Sequence, residues 1–313
     1  MYIGIDLGGT NIAVGLVDDN GKIIAKSSTP TLAQERGYKE IVRDMAELSK
    51  KLLSENNIAE SEIKGVGIGC PGTVDGDNGV VVYANNIKME NTPLAEEFKK
   101  YFDVNVVILN DANAAAYGEY VINGNGVDSF VFITLGTGVG GGVVLDNKIY
   151  TGFNCAGGEL GHITLVHDGI SCNCGNVGCW EAYASVTALI RQTKEAMDKN
   201  PQSMMHKLAK EEGKVSGKTA FLAAKAGDEA GQAVVDKYLE YVASGLVSIV
   251  NIFEPEKLVI GGGISKEGDY LLKPVTEYCY SHEYNKNRQQ TQITIATLFN
   301  DAGIIGAALY SKQ

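Results

Sequence analysis

Positive charge is scarce in this chain: 27 Lys and Arg stand against 38 Asp and Glu, a formal net charge of -11 over 313 residues. Such a surface lacks the clustered cations that neutralise phosphates, which argues against a nucleic-acid or anionic-membrane partner. Long apolar runs are missing as well. The longest uncharged stretch, between Asp128 and Asp146, is broken by glycines and falls short of the roughly 20 residues that a membrane-spanning helix needs. The opening Met1-Tyr2-Ile3-Gly4-Ile5-Asp6 has no basic segment and puts a carboxylate in its first apolar run, so no secretory signal is expected. There are only six prolines and no low-complexity tract, which leaves no candidate for a flexible tether. Half of the six cysteines, Cys70, Cys155 and Cys279, stand singly in apolar contexts, as small buried hydrophobes do. That usage suits a reducing compartment, and a cytoplasmic location is the expectation.

At this length two domains are the default, and a 44% hydrophobic, 21% charged composition is that of a globular protein. The stretch "YIGIDLGGTNIAVGLVDDNGKIIAKSS" reads as strand, glycine turn, strand, an Asp19-Asn20-Gly21 hairpin, strand. "FVFITLGTGVGGGVVLDNKIYTG", beginning at Phe130, repeats that grammar, with Ile5-Asp6-Leu7-Gly8 answered by Ile133-Thr134-Leu135-Gly136. Two similar halves are implied. The spacing of Ile41, Val42, Met45, Leu48, Leu52 and Leu53 predicts a helix over Tyr38 to Asn56, and a second long helix is expected over Gln232 to Phe253, ended by Pro255. "KGVGIGC", "VNVVILN" and "KLVIGGGIS" read as buried strands. The alternation indicates α/β architecture with ligands near the carboxyl ends of strands. The domain boundary is expected at a crossover after Asp111.

Gly8-Gly9-Thr10-Asn11 lies in a tight turn where backbone N–H groups can approach a phosphate and Thr10 adds a hydroxyl; Gly136-Thr137-Gly138 is its counterpart. Either alone is also what a plain hairpin needs, and it is the pair that points to a nucleotide. Two decoys are set aside. Gly136 to Gly141 matches the dinucleotide fingerprint but opens a strand rather than a helix. Gly213-Lys-Val-Ser-Gly217-Lys218-Thr219 resembles a Walker A loop, but it has one residue too few between its glycines and no strand before it. Cys172, Cys174 and Cys179 have C-x-C-x4-C spacing, which with one imidazole completes a Cys3His zinc site. A redox pair would more naturally be C-x-x-C, and a disulfide would leave an odd thiol. His167, five residues before Cys172, has the better local spacing for the fourth ligand.

"IGIDLGGTN", "LNDANAAAYGE", "LGTGVGGG", "GGELGH", "CNCGNVGCWE" and "VIGGGIS" occur in the order seen in the ROK family, and the chain resembles its bacterial sugar kinases from Ile3 to the final "DAGIIGAALY". The resemblance implies the actin-like ATPase (ribonuclease H-like) fold, with two similar α/β domains. One would be a small N-terminal domain of residues 1–112, completed by a C-terminal helix over 300–313; the other would be a large domain of residues 113–299 bearing the zinc site. It implies ATP in the cleft between them, Mg2+, and nucleotide contacts from Gly261, Gly262 and Gly263 besides the two turns. The expected activity is ATP-dependent phosphorylation of the 6-hydroxyl of glucose by direct in-line transfer, with fructose, mannose, N-acetylglucosamine or N-acetylmannosamine as alternatives.

On this resemblance Asp111 is the general base and Asn110 orients the sugar, although the residues alone allow Asp111 to be a helix cap instead. Asp6, at a strand end beside a phosphate turn, suits a hydrated Mg2+ or simply the loop amides. Glu159, His162 and Glu181 are implied as acceptors for sugar hydroxyls, and Gly72 as part of a loop closing on the sugar. The resemblance makes His162 rather than His167 the fourth ligand of a structural zinc that activates no water. Stripping that zinc is then expected to harm sugar affinity and leave the glycine turns able to bind ATP. "YANNIKMENTPL" carries Lys88 and Met89 where an aromatic residue is expected in many such kinases, which opens the question of the sugar. A sugar-sensing repressor of the same family is the rival of another class, and a glycoside hydrolase using Asp111 and Glu159 leaves the phosphate turns unexplained. A homodimer or homotetramer is implied.

Overall fold

The computed structural model of the protein describes every residue except Asn125. The chain divides into two compact units: Met1–Phe132, Gly142–Gly158 and Thr297–Gln313 form unit 1, and Ile133–Gly141 with Glu159–Ala296 form unit 2. In chain order the elements begin with β1 (Tyr2–Leu7), β2 (Asn11–Val17), β3 (Ile23–Pro30), α1 (Tyr38–Glu55), β4 (Gly65–Cys70), β5 (Thr73–Asp75), β6 (Val80–Ala84), β7 (Met89–Thr92), α2 (Leu94–Lys99), β8 (Asn105–Asn110) and α3 (Asp111–Asn123). There follow β9 (Ser129–Leu135), β10 (Val139–Leu145), β11 (Lys148–Ile149), α4 (Glu181–Ala184), α5 (Val186–Lys199), α6 (Met205–Glu212), α7 (Thr219–Lys225), α8 (Glu229–Phe253), β12 (Lys257–Gly261), α9 (Asp269–His282), β13 (Gln292–Ile295) and α10 (Ala302–Tyr310).

The first sheet runs β3-β2-β1-β4-β8, and a later sheet repeats the scheme as β11-β10-β9-β12-β13. In each, a hairpin is followed by strands added on the far side, which is the echo expected from the two glycine turns. In the first sheet β1 pairs antiparallel with β2 and parallel with β4, and β4 is parallel with β8. The expected Asp19-Asn20-Gly21 turn is closed by the Gly21 N–H donating to the Asp18 carbonyl at 3.1 Å. β5, β6 and β7 form a small sheet of their own.

The core of unit 1 lies where α1 packs Ile41, Val42, Met45, Leu52 and Leu53 with Ile3, Ile5 and Leu7 of β1. α10 covers the same sheet. Glycines make that possible, because Gly4, Gly15 and Gly67 are neighbours across β2, β1 and β4. A Cβ on Gly4 would stand 1.9 Å from the Ile304 carbonyl oxygen, and one on Gly67 1.8 Å from that of Ala307. With no side chains there, the backbone of α10 rests directly on the strands.

α3 meets α10 in the same way, with a Cβ on Gly306 falling 1.8 Å from the Ala114 carbonyl oxygen. This contact puts all of α3 in unit 1, whereas the sequence reading closes the N-terminal domain at residue 112. Small residues in "ANAAAYGE" are read there as helix formers; in the fold they are a packing seam.

In unit 2 the long helix α8 begins three residues ahead of its expected start, where Asp228 caps it by accepting the Gly231 N–H at 2.7 Å. The Gly136 motif opens β10, and the Gly213 to Lys218 segment is a loop joining α6 to α7, so both decoys are ordinary connections. Among the described residues no helix is long and apolar enough to cross a membrane.

Candidate functional site

Unit 1 gathers its chemistry at the carboxyl ends of β1, β4 and β8. Asp111 is the first residue of α3, but the cap is Asn110: its Oδ1 accepts the N–H groups of Ala112 at 2.9 Å and Asn113 at 3.2 Å. The Asp111 side chain lies beside that cap, and its Oδ1 accepts the Ala112 N–H at 2.8 Å. The Asp111 side chain reaches solvent, yet it sits among enough protein atoms for lost solvation to raise its pKa above the usual carboxylate range. Burial, then the charge of Asp111, push Asp6 up to about 6. Asp6 also lies against the first turn of α10, its Oδ2 being 3.3 Å from where a Gly303 Cβ would be. Any side chain at Gly303 would press on that carboxylate, a role the sequence reading missed.

Asn110 is doubly engaged, since its Nδ2 donates to the Gly72 carbonyl at 3.0 Å. Gly72 needs to be glycine for its own reasons: its φ is +90°, and a Cβ would stand 2.2 Å from the Tyr83 carbonyl oxygen. The Gly8 turn closes with the Gly8 N–H on the Asn11 carbonyl at 2.9 Å, leaving Gly9, Thr10 and Asn11 exposed. Met89 is buried in the core and the Lys88 Nζ donates to the Gln34 carbonyl at 3.1 Å, so both residues that stand where an aromatic is expected are held by the fold. Cys70 is buried, with its thiol pushed up by burial and by Asp111, whereas Cys155 is only half-buried rather than in the core.

Unit 2 assembles the cysteines. His162, Cys172, Cys174 and Cys179 offer ligand atoms all within 4.8 Å of one another. Two of the edges are 3.7 Å, from Cys172 Sγ to His162 Nδ1, and 3.6 Å, from Cys174 Sγ to Cys179 Sγ. Zn–S and Zn–N bonds of ~2.3 and ~2.0 Å at tetrahedral angles give edges of roughly 3.8 and 3.5 Å, so the donor set fits zinc. Burial raises the Cys179 thiol to about 12, and a cation would displace that proton. His167, favoured by local spacing, is not in the cluster; it is 93% exposed and pairs with Asp168 at 3.3 Å.

The knuckle is anchored by Trp180, the chain's single tryptophan, which is fully buried on α8. A Cβ on Gly245 would stand 2.0 Å from its ring, and its Nε1–H donates to the Tyr241 carbonyl at 2.9 Å. This fixes Cys179 and Glu181 on either side of it. The Glu181 Oε2 accepts the Val139 N–H at 2.9 Å, while its Oε1 lies 3.8 Å from Cys172 Sγ. One carboxylate therefore joins the knuckle to the second glycine turn.

That turn is also fastened to α5, through the Val186 N–H on the Gly136 carbonyl at 2.8 Å and the Thr187 hydroxyl on the Thr137 carbonyl at 2.7 Å. Gly262, with φ +83°, packs against the Leu135 carbonyl just ahead of the turn, which brings Gly261, Gly262 and Gly263 beside Gly136. A cavity of about 270 Å³ is lined by Thr137, Gly138, Cys172, Glu181, Thr187 and Arg191. Arg191 is a cation that sequence patterning did not single out. Glu159 is exposed, and its carbonyl accepts the His162 N–H at 3.0 Å.

Two sheets of one scheme, each ending in a glycine turn, with a carboxylate at the head of α3 and a Cys3His knuckle, define a protein of the actin-like ATPase fold. The ROK family profile matches residues 2–313, and the chain belongs to the ROK family. It is 39% identical to a glucokinase of Thermotoga maritima over 99% of this chain and 97% of that one. It is 37% identical to a glucokinase of Halalkalibacterium halodurans, over 100% and 95% of the two chains. The solved ROK family glucokinase of Streptomyces griseus, in complex with glucose and AMPPNP, superposes with a TM-score of 0.83 at 34% identity, covering 100% of this chain and 99% of that one.

Proposed function

We propose that this protein is an ATP-dependent glucokinase in which Asp111 is the general base. The observation that carries the assignment of the base is the division of labour at the head of α3: Asn110 supplies the helix cap, so the Asp111 carboxylate beside it is not needed for that task and can serve a substrate hydroxyl. Lost solvation makes that carboxylate more basic than an ordinary aspartate, which suits removal of a proton as the sugar oxygen attacks the γ-phosphate. Glucose as the sugar is supported by the full-length similarity to glucokinases.

The exposed Gly8-Gly9-Thr10 turn and the Gly136-Thr137-Gly138 turn, with Gly261 to Gly263, are the backbone donors for the nucleotide. Asp6 is the group that would hold Mg2+, whose charge would offset that of the transferring phosphoryl group. Glu159, His162 and Glu181 supply acceptors for sugar hydroxyls, with the His162 ring free at Nε2 when Nδ1 binds zinc. Zinc in the knuckle is structural, because four protein ligands leave it no open position.

The test is Asp111→Asn. Its turnover in a coupled ADP-release assay should fall by roughly 10²–10⁴ while calorimetry still shows glucose binding. Near-normal turnover removes Asp111 from the role.

A further inference from the structure

The turn that carries Gly8, Gly9 and Thr10 is gripped by a residue outside every recognisable motif. Thr31 follows β3 directly and is fully buried. Its hydroxyl donates to the Gly8 carbonyl at 2.6 Å, and its N–H donates to the Thr10 carbonyl at 2.8 Å. Two carbonyls of the turn are thereby drawn inward. A trans peptide is planar with its C=O and N–H opposed, so drawing in the Gly8 carbonyl turns the Gly9 N–H outward. That is the orientation an anion needs, and a phosphate meeting the carbonyl instead would be repelled.

Thr31 is itself braced. The Arg36 Nε donates to the Thr31 carbonyl at 2.8 Å and its Nη2 to the Pro30 carbonyl at 3.1 Å, while Nη1 pairs with Asp44 of α1. The Arg36 side chain is only 14% exposed, so this is an interior arrangement rather than a surface ion pair. A hydrogen-bonded chain thus runs from α1 through Arg36 and Thr31 to the turn.

We propose that Thr31, braced by Arg36 and Asp44, is a positioning residue that holds the Gly8 turn open for nucleotide phosphates. This rests on the reading of that turn as a phosphate site. An edge residue with a merely structural role would affect stability and both substrates alike, whereas a phosphate-turn clasp acts on ATP.

The experiment is steady-state kinetics of the full chain with ATP and glucose varied in turn, beside urea unfolding. Thr31→Val, which removes the hydroxyl and keeps the shape, should raise the KM for ATP about tenfold and leave that for glucose within about twofold. Thr31→Ser should restore the ATP value. Arg36→Met, which touches neither Gly8 nor Thr10, should raise the KM for ATP in the same direction, and it decides the matter if Thr31→Val does not fold. An unchanged KM for ATP in both variants, or an equal rise for both substrates with a lowered unfolding midpoint, overturns the clasp. Thr10→Ala separates the two layers: if it raises the KM for ATP and Thr31→Val does not, the clasp alone fails. If neither variant moves it, the phosphate reading of the turn fails as well.

Discussion

Asp6→Asn should stabilise the folded protein at neutral pH. Burial and the nearby Asp111 push the folded-state pKa of Asp6 up to about 6, from the 3.8 of an aspartate in an unfolded chain. The native state therefore holds this proton more tightly than the unfolded chain does. The cost of ionising Asp6 is absent below the unfolded pKa, grows as pH rises from about 4, and is complete above the folded pKa near 6. A rise of that size corresponds to about 3 kcal/mol at pH 7.5, and asparagine, which does not ionise, escapes that cost. The assay is urea unfolding of wild type and Asp6→Asn at pH 4 and pH 7.5 followed by far-UV circular dichroism. Tryptophan fluorescence is the wrong probe, because Trp180 belongs to unit 2 and Asp6 to unit 1. The variant should be the more stable at pH 7.5, by up to about 3 kcal/mol, and lose that advantage at pH 4. Equal midpoints at pH 7.5, or a gain independent of pH, would refute this reasoning. The same variant should phosphorylate glucose poorly, as the proposed role of Asp6 in holding Mg2+ requires.

Removing the knuckle's metal, by chelation or by Cys179→Ser, should weaken glucose and nucleotide binding together by about tenfold, because Glu181 joins the knuckle to the Val139 N–H. Calorimetry on protein whose zinc content is measured checks this, and intact nucleotide affinity in zinc-free protein contradicts it. Gly67→Ala should cost at least about 3 kcal/mol, because the added methyl meets the Ala307 carbonyl at 1.8 Å. An unchanged urea midpoint by circular dichroism would show that α10 can lift off the sheet cheaply.

What the sequence makes legible is whatever lies close along the chain. The two glycine turns, the Asp19-Asn20-Gly21 hairpin, the apolar face of α1 and the cysteine triplet are all local patterns, and the fold places each where its spacing implies. Contacts between distant segments leave no such trace. Thr31 is one threonine at the end of a strand, and nothing near it says that its hydroxyl closes on Gly8. Glu181 stands out beside the last cysteine, yet its partner Val139 lies 42 residues earlier, and that bond ties the cysteine cluster to the second glycine turn. The expectation that zinc serves the sugar alone is drawn without that bond, and the zinc-removal experiment decides between the two.

The choice between His162 and His167 shows how spacing misleads when the chain doubles back. Thr164 pairs with Cys179 as an isolated bridge, and the N–H groups of Leu165 and Val166 both donate to the Gly178 carbonyl. The segment after His162 therefore runs alongside the knuckle. This antiparallel path puts residue 162 at the donor atoms and carries residue 167 past them into solvent, although 167 is nearer in sequence. Gly178 permits it: its φ is +78°, and a Cβ there would stand 1.8 Å from the Val166 carbonyl. A side chain at Gly178 would push that segment away and take His162 out of the cluster with all three cysteines intact, so the histidine that joins the cysteines is selected by a glycine rather than by its distance along the chain.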